Sequence, residues 1–426
     1  MSRETYHKGS KIEKVSAINK KIILIVGEEK YKEIEVNNKA FKAYLSDQLE
    51  RYPELFPKAI CKDNWSLNGY VSKSKKQNYR LRRIKLSDGS VWQVHVSFLV
   101  PYMRCKTDEA SRYLFLMNWC PAWALAEVFG KNAMFYYRLQ SHFGTYSMVG
   151  TTVKDSSKLP SHLSADEKHA KISGQKVYLG VTCGEECFLG ASISPTSSER
   201  DLTAAYGNFK EEALLLDKDY APDTVNTDGW LATMNAWKSI FSQIIVIQCF
   251  LHAVLKIKNV ATKATETLFR EILDKAWNAY KAENKRSFSQ RIRRLYEYAQ
   301  ELKPSKLKTA LCKLCSKRNW FTPAYNYHNA HRTSNRIDRL INRTDRKLHI
   351  SKWWHGTIAS AEIGIRAFCL IQNFSPYCPS VQKKYNGKQS AFERLNGYKY
   401  AENWLENLII ATSTQQKYRF QQKTLE

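Results

Sequence analysis

The spacing of apolar and polar residues changes character three times along the chain. Within the first hundred residues the pattern is mostly irregular, with one clear feature. Tyr79–Leu86 and Val91–Val100 are β-rich runs separated by Ser87-Asp88-Gly89-Ser90, and an Asp-Gly between two such runs predicts a hairpin. From Asp108 the spacing becomes helical, with Tyr113, Leu114, Leu116 and Met117 on a first helix that Pro121 breaks. A second helix, Ala122–Phe129, ends at Gly130, and a third runs from Asn132 to Phe143. Short helices joined by a tight glycine-containing turn are the format of a helix-turn-helix. The third is the candidate recognition helix, and its exposed candidates are Lys131, Asn132, Tyr136, Arg138, Gln140 and His142. A plain helical linker fits the same pattern.

Residues 148–250 switch to strands. Leu163–Ile172, Lys176–Cys183 and Phe188–Ser194 read as three strands joined by turns at Ser173-Gly174 and Gly184-Glu185-Glu186. A helix is predicted from Ser198 to Leu216, with Leu202, Ala205, Phe209, Ala213 and Leu216 at helical spacing. Asp223–Thr227 reads as a fourth strand, Leu231–Ile240 as a second helix, and the apolar run Ile244–Phe250 as a fifth strand buried on both faces. Three antiparallel strands followed by parallel crossover units is the ribonuclease-H-like order. The expected fold is therefore α/β: a ribonuclease-H-like mixed five-stranded sheet with flanking helices and an α-helical insertion, preceded by a helix-turn-helix region. The expected domains are a basic N-terminal region over 1–105, the helix-turn-helix region over 106–147, the sheet domain over 148–375 with its insertion at about 253–330, and a helical tail over 376–426.

Charge narrows the class of partner. Among 426 residues, Lys and Arg total 67 against 40 Asp and Glu, a formal net charge of +27. Such an excess does not suit an ordinary enzyme of small molecules; it suits a polyanion, whose condensed counterions are released on binding. Anionic lipid would also attract it, but nucleic acid fits charge and fold class together. Lys73, Lys75, Lys76, Arg80, Arg82, Arg83 and Lys85 crowd the hairpin, as a DNA-contacting face or as a solvated surface. No run approaches the ~20 apolar residues of a membrane span. Met1 to Lys21 lack an apolar centre, so a cytoplasmic, nucleoid-associated protein without a membrane is expected. The 10 cysteines then read as reduced thiols. Cys312 and Cys315 have zinc or redox spacing but no matching second pair, and read as helix-packing thiols; Cys183 and Cys187 are expected to face each other across a hairpin turn.

The acids fall at telling places. Asp166 lies in the first predicted strand, and Asp228 directly after the fourth, in Val225-Asn226-Thr227-Asp228-Gly229-Trp230. First and fourth strands are neighbours in this order, so the two carboxylates would meet and repel unless a cation sits between them. Hard oxygen ligands suit Mg²⁺ or Mn²⁺, and two such ions would serve an in-line attack on phosphorus. Taken singly, Asp228 also reads as a turn residue and Asp166 as a strand-end surface charge.

Downstream stands Cys249-Phe250-Leu251-His252, at the expected end of the fifth strand, and later His331-Arg332-Thr333-Ser334-Asn335-Arg336-Ile337-Asp338-Arg339-Leu340. With these blocks the chain, over about residues 100 to 375, resembles prokaryotic DDE-type insertion-sequence transposases. Its second-acid and Cys-x-x-His block resembles the Mutator-like group. The resemblance implies a transposase that cuts DNA and transfers strands at the ends of a mobile element, with Asp166, Asp228 and Asp338 as metal ligands. Where the family usually has glutamate this chain has Asp338, which leaves Asp345 and Glu362 as alternatives for the third acid. Asp338 alternatively pairs with Arg339 or Arg343 on a charged helix surface. His252 is expected in a phosphate or metal-shell role, and Trp230 either stacks on a base or packs in the core. Lys131, Arg138, Arg339 and Arg343 are the expected DNA contacts, double-stranded element ends and target DNA the partners, and a homo-oligomer the DNA-bound state. Two rival functions share these features: a ribonuclease-H-like nuclease or resolvase without strand transfer, and a DNA-binding regulator on a degenerate catalytic fold.

Overall fold

The computed structural model describes residues 20–57, 59–60, 64–71, 79–354 and 356–415. Lys73, Lys75 and Lys76 of the basic cluster lie outside the described residues. The chain divides into two compact units, one formed by the segments before Pro160 and after Arg346, the other by Pro160–Arg346. The division falls inside the helix Asn335–Ile350. The whole is an α/β protein with two mixed sheets and many helices. No helix among the described residues is long and apolar enough to cross a membrane.

The first unit is built on a four-stranded sheet of β1 (Lys21–Leu24), β2 (Trp65–Tyr70), β3 (Arg82–Leu86) and β4 (Val91–Val96), in the order β1-β4-β3-β2. The expected hairpin is β3–β4: Gly89 takes φ +79°, and Leu86 and Ser90 close the turn through a backbone bond of 2.9 Å. β1 pairs parallel with β4, and β2 antiparallel with β3. Helices form at Thr107–Leu116, Ala122–Phe129 and Ala133–Phe143, the second ended by Gly130 in a left-handed cap and the third capped by Asn132. They do not stand apart. Leu114, Leu125, Leu139 and Phe143 share one core with Ile22 and Val94 of the sheet and with Leu405, Leu408 and Ile409 near the chain's end. Among the described residues of the stretch expected as a tail, Phe392, Leu405, Leu408, Ile409 and Ile410 are fully buried in this core. Lys21 shows the closure polar atom by polar atom: its Nζ donates to Tyr146 Oη (2.8 Å) and Thr412 Oγ1 (3.2 Å).

The second unit carries β5 (His162–Ile172), β6 (Gln175–Gly184), β7 (Cys187–Ser194), β8 (Thr224–Thr227) and β9 (Ile245–Gln248), in the order β7-β6-β5-β8-β9. β5, β6 and β7 are antiparallel, while β8 and β9 continue parallel from β5. Left-handed Ser173 and Gly174, then Glu185 and Glu186, make the two hairpin turns. Glu199–Leu216, capped by Ser198, and Leu231–Ile240 are the crossover helices. β9 is shorter than its apolar run suggests. The strand stops at Gln248, and Cys249 caps a new helix, Phe250–Lys258, with its Sγ accepting the His252 N–H. Helices Glu266–Tyr280, Lys285–Glu301 and Lys306–Ser316 follow, packed around Phe250, Phe288 and Leu311 in a separate apolar cluster. Cys183 sits opposite Phe188, and Cys187 opposite Gly184, so the two thiols are one register step apart rather than facing. Every cysteine among the described residues is free, and Cys315 is buried in the helix packing.

Candidate metal centre

Four elements of the second unit deliver carboxylates and an imidazole to one place. Asp166 comes from the middle of β5, where its Oδ1 accepts the Glu167 N–H at 2.9 Å. Asp228 follows β8 and is fixed by a local turn: its Oδ1 accepts the Trp230 N–H at 2.8 Å. Gly229 makes that turn with φ +86°, and a Cβ there would stand 2.7 Å from the Gln248 side chain. His252 lies on the first turn of Phe250–Lys258, and Asp338 on the first turn of Asn335–Ile350.

The oxygens of Asp166 and Asp338 and a ring nitrogen of His252 lie within 4.8 Å of one another; so do oxygens of Asp166, Glu167 and Asp228. Asp166 belongs to both groups. Two charges about 4 Å apart near a protein surface repel by about 4 kcal/mol, so such a pair calls for a counter-cation. Burial, then the neighbouring Asp228, push the Asp166 carboxyl up to about 7. Burial likewise pushes Glu167 up to about 7, against the hydrogen bonds it accepts from Thr233 and Tyr206. His252 moves to about 9, raised first by its hydrogen bond with Cys249 and opposed by burial, with the Asp166 and Asp338 charges adding to the rise. In the metal-free protein His252 is thus the cation that the acids face.

A second layer holds these groups in position. Ser334 Oγ donates to Asp338 Oδ2 (2.9 Å) and lies 3.2 Å from His252 Nδ1, so the ring N–H is the donor to the hydroxyl. Cys249 joins the same network: its Sγ accepts the backbone N–H of Ser334 (3.1 Å) and its thiol reaches Ser334 Oγ (3.2 Å). Burial opposes ionisation of Cys249, but the hydrogen bonds from His252 and Ser334 outweigh it and lower the thiol's pKa. The loop before Ser334 is tied down as well. Asn226 donates to the His331 carbonyl (2.9 Å), Phe250 to that of Arg332 (3.1 Å), and the Arg332 guanidinium lies over the rings of Tyr280 and Tyr325. Cys-x-x-His is therefore a bracket: Cys249 fixes where Ser334, and with it Asp338, must lie.

The other residues singled out from the sequence are placed as follows. Asp345 pairs with Lys168 (3.0 Å) and is outside both acid groups. Glu362 is fully buried in the other unit. Arg339 is exposed and Arg343 half-buried, and Asp338 bonds Ser334 rather than either arginine. Trp230 is half-buried, its ring 5.8 Å from that of Tyr178. In the first unit, Arg138 and Asn132 are exposed, whereas Tyr136 and Gln140 are buried and face the core, not solvent. Their position follows from helix geometry, since both lie on the stripe of Leu139 and Phe143. Lys131 is held by Glu109 and lies 4.8 Å above the Phe135 ring. Glu167 was missed. Its only signal is adjacency to Asp166, and strand alternation argues against two neighbours sharing a site.

The donor set fits a hard divalent cation: four carboxylates with one imidazole, partly buried, with Asp166 and Glu167 raised by burial and then by the neighbouring acids. Comparison with known proteins found no family model that matches the sequence and no curated protein that matches it.

Proposed function

We propose that this protein is a metal-dependent enzyme that cleaves and rejoins DNA strands, a transposase of the DDE type on a ribonuclease-H-like sheet. The carrying observation is the convergence of Asp166, His252 and Asp338, and of Asp166, Glu167 and Asp228, with Asp166 common to both groups. The strand order β7-β6-β5-β8-β9, antiparallel then parallel, supports the ribonuclease-H-like reading. The net charge of +27 supports a polyanionic substrate.

In this reading Asp166, Asp228 and Asp338 hold one or two Mg²⁺ or Mn²⁺ ions, with Glu167 within reach of the Asp228 side. Ions held by these residues would supply activation of a hydroxyl nucleophile and stabilisation of the oxygen that leaves phosphorus. The chain's own groups do the rest. Ser334 donates to Asp338 and holds its carboxylate toward the cluster. His252, cationic and hydrogen-bonded to Ser334, offsets the negative charge that builds on a phosphate. Arg339 and Arg343, on the same helix as Asp338, are the residues that hold the DNA backbone in this reading.

The test is incubation of the full chain with DNA carrying candidate element ends, with Mg²⁺, Mn²⁺ or EDTA. Metal-dependent nicks with 3′-hydroxyls, followed by joining to a second DNA, are the expected result. Nicks without joined products would leave a nuclease or resolvase, and no cleavage with either ion would refute the reading.

A further inference from the structure

The insertion carries a cavity of about 680 Å³ between the helices Phe250–Lys258 and Lys306–Ser316. Its lining holds Lys256, Lys306, Lys313 and Lys317 and no acidic residue. Val260, Ala310 and Leu314 give it an apolar floor. Among the described residues, none of the four ammonium groups has a carboxylate or carbonyl partner. The contrast is Lys308, whose Nζ donates to the carbonyls of Gln300 (2.8 Å) and Leu302 (2.9 Å). Four unneutralised cations around a concave apolar surface call for an anion with an apolar body. Burial, then the nearby Lys256, hold Lys317 below its ordinary pKa, against the opposing charge of Asp228.

The cavity also has a place relative to the acids. Lys256 is one helical turn beyond His252, and Ala253 of the lining is its neighbour in sequence. Lys317 lies within electrostatic reach of Asp228. Whatever fills the cavity therefore lies about one helical turn from His252, on the side of Lys256.

We propose that this cavity binds one unstacked nucleotide of the substrate strand next to the cleavage point, its phosphate on the lysines and its base on the floor of Val260, Ala310 and Leu314. The class of ligand rests on the nucleic-acid reading above. An aromatic base against an apolar wall is a sequence-tolerant contact, and the lysines add a salt-dependent one.

The experiment uses the full chain in EDTA and a short single-stranded oligonucleotide containing 2-aminopurine, read by anisotropy and by base fluorescence. Combined Lys256→Ala, Lys313→Ala and Lys317→Ala should weaken binding at least about tenfold and flatten the log-affinity against log-salt slope by about 2. Ala310→Trp fills the floor and keeps every charge; it should abolish the fluorescence change while circular dichroism stays unchanged. Inorganic phosphate should compete weakly, and a nucleoside monophosphate better, but less well than the oligonucleotide. An unchanged salt slope in the lysine variant, or an unchanged fluorescence response in Ala310→Trp, overturns the proposal. Saturation by the free monophosphate as tight as by the oligonucleotide also overturns it, since the ligand would then not be a strand. Failure of the parent reading is separate: cleavage by the wild type with no lysine dependence of binding removes only the cavity, whereas lysine-dependent binding without any metal-dependent cleavage removes only the enzyme.

Discussion

Asp338 and Asp345 stand seven residues apart on one helix, yet their surroundings differ in kind. Asp338 receives the Ser334 hydroxyl and faces Asp166 and His252, whereas Asp345 is neutralised by Lys168. Asp338→Asn keeps size and removes charge; an ion contributes several kcal/mol to a phosphoryl transition state, so cleavage should fall at least about a hundredfold. Asp345→Asn loses one partly exposed ion pair, worth about 0–1 kcal/mol, and should change the rate less than about threefold. Rates of nicking in Mn²⁺ decide it, and the reverse ranking would make Asp345 the ligand. Away from the site, burial lowers Lys154 to about 7, although its Nζ donates to the Gly150 carbonyl at 2.8 Å. Between about 7 and the ordinary lysine value, the unfolded chain binds a proton that the folded one does not. Stability should therefore rise with pH through that window. Melting temperatures at pH 7.5 and 9.5 should show the rise, and Lys154→Met should flatten it.

Elements show what the sequence can and cannot reveal. β5 to β8 were legible because each is a β-rich run ended by a turn with its own chemistry, such as Ser173-Gly174 at φ 49° and 83°. β9 was read too long because Cys249 and Phe250 continue its apolar run, and a thiol is not an ordinary helix cap. β1 is only Lys-Ile-Ile-Leu; what makes it a strand is parallel pairing with β4, a non-local fact. The candidate site was legible at Asp166, inside a strand, and at Asp228, directly after one. It was hidden where a side chain works through others, as Ser334 does. The turn after β8 gives a test of positioning. Gly229→Ala forces a left-handed alanine against Gln248, so it should cost about 1–2 kcal/mol and weaken Mn²⁺ binding by calorimetry through a displaced Asp228. Unchanged Mn²⁺ affinity would separate Asp228 from the metal centre. The helix Ala133–Phe143 gives another. Arg138 is exposed and unburdened by packing, so Arg138→Ala should lower the salt dependence of DNA binding without changing melting temperature. Lys131→Ala, by contrast, breaks its pair with Glu109 and should lower the melting temperature too. An unchanged salt slope in Arg138→Ala would leave these helices a purely structural task.

At the scale of the molecule the positive charge is shared between the units: the hairpin arginines belong to one, and Lys256, Lys306, Lys313 and Lys317 to the other. The path of the chain separates them in another sense. Among the described residues the second unit is one continuous stretch, Pro160–Arg346, whereas the first needs residues from both sides of it. β1 cannot be finished early: Ile23 N–H donates to Ser413 Oγ (2.9 Å), and the Thr414 N–H to the Lys21 carbonyl (3.2 Å). During synthesis the ribosome therefore releases a complete acid-bearing unit while its companion still lacks Leu405, Leu408 and Ile409 of its core. A nascent chain arrested beyond Arg346 would already resist protease across 160–346, while the core residues of the first unit would wait for the helix Trp404–Ala411 to be translated. In a chain so arranged, the acids of the candidate centre would be gathered before the core of the other unit could close.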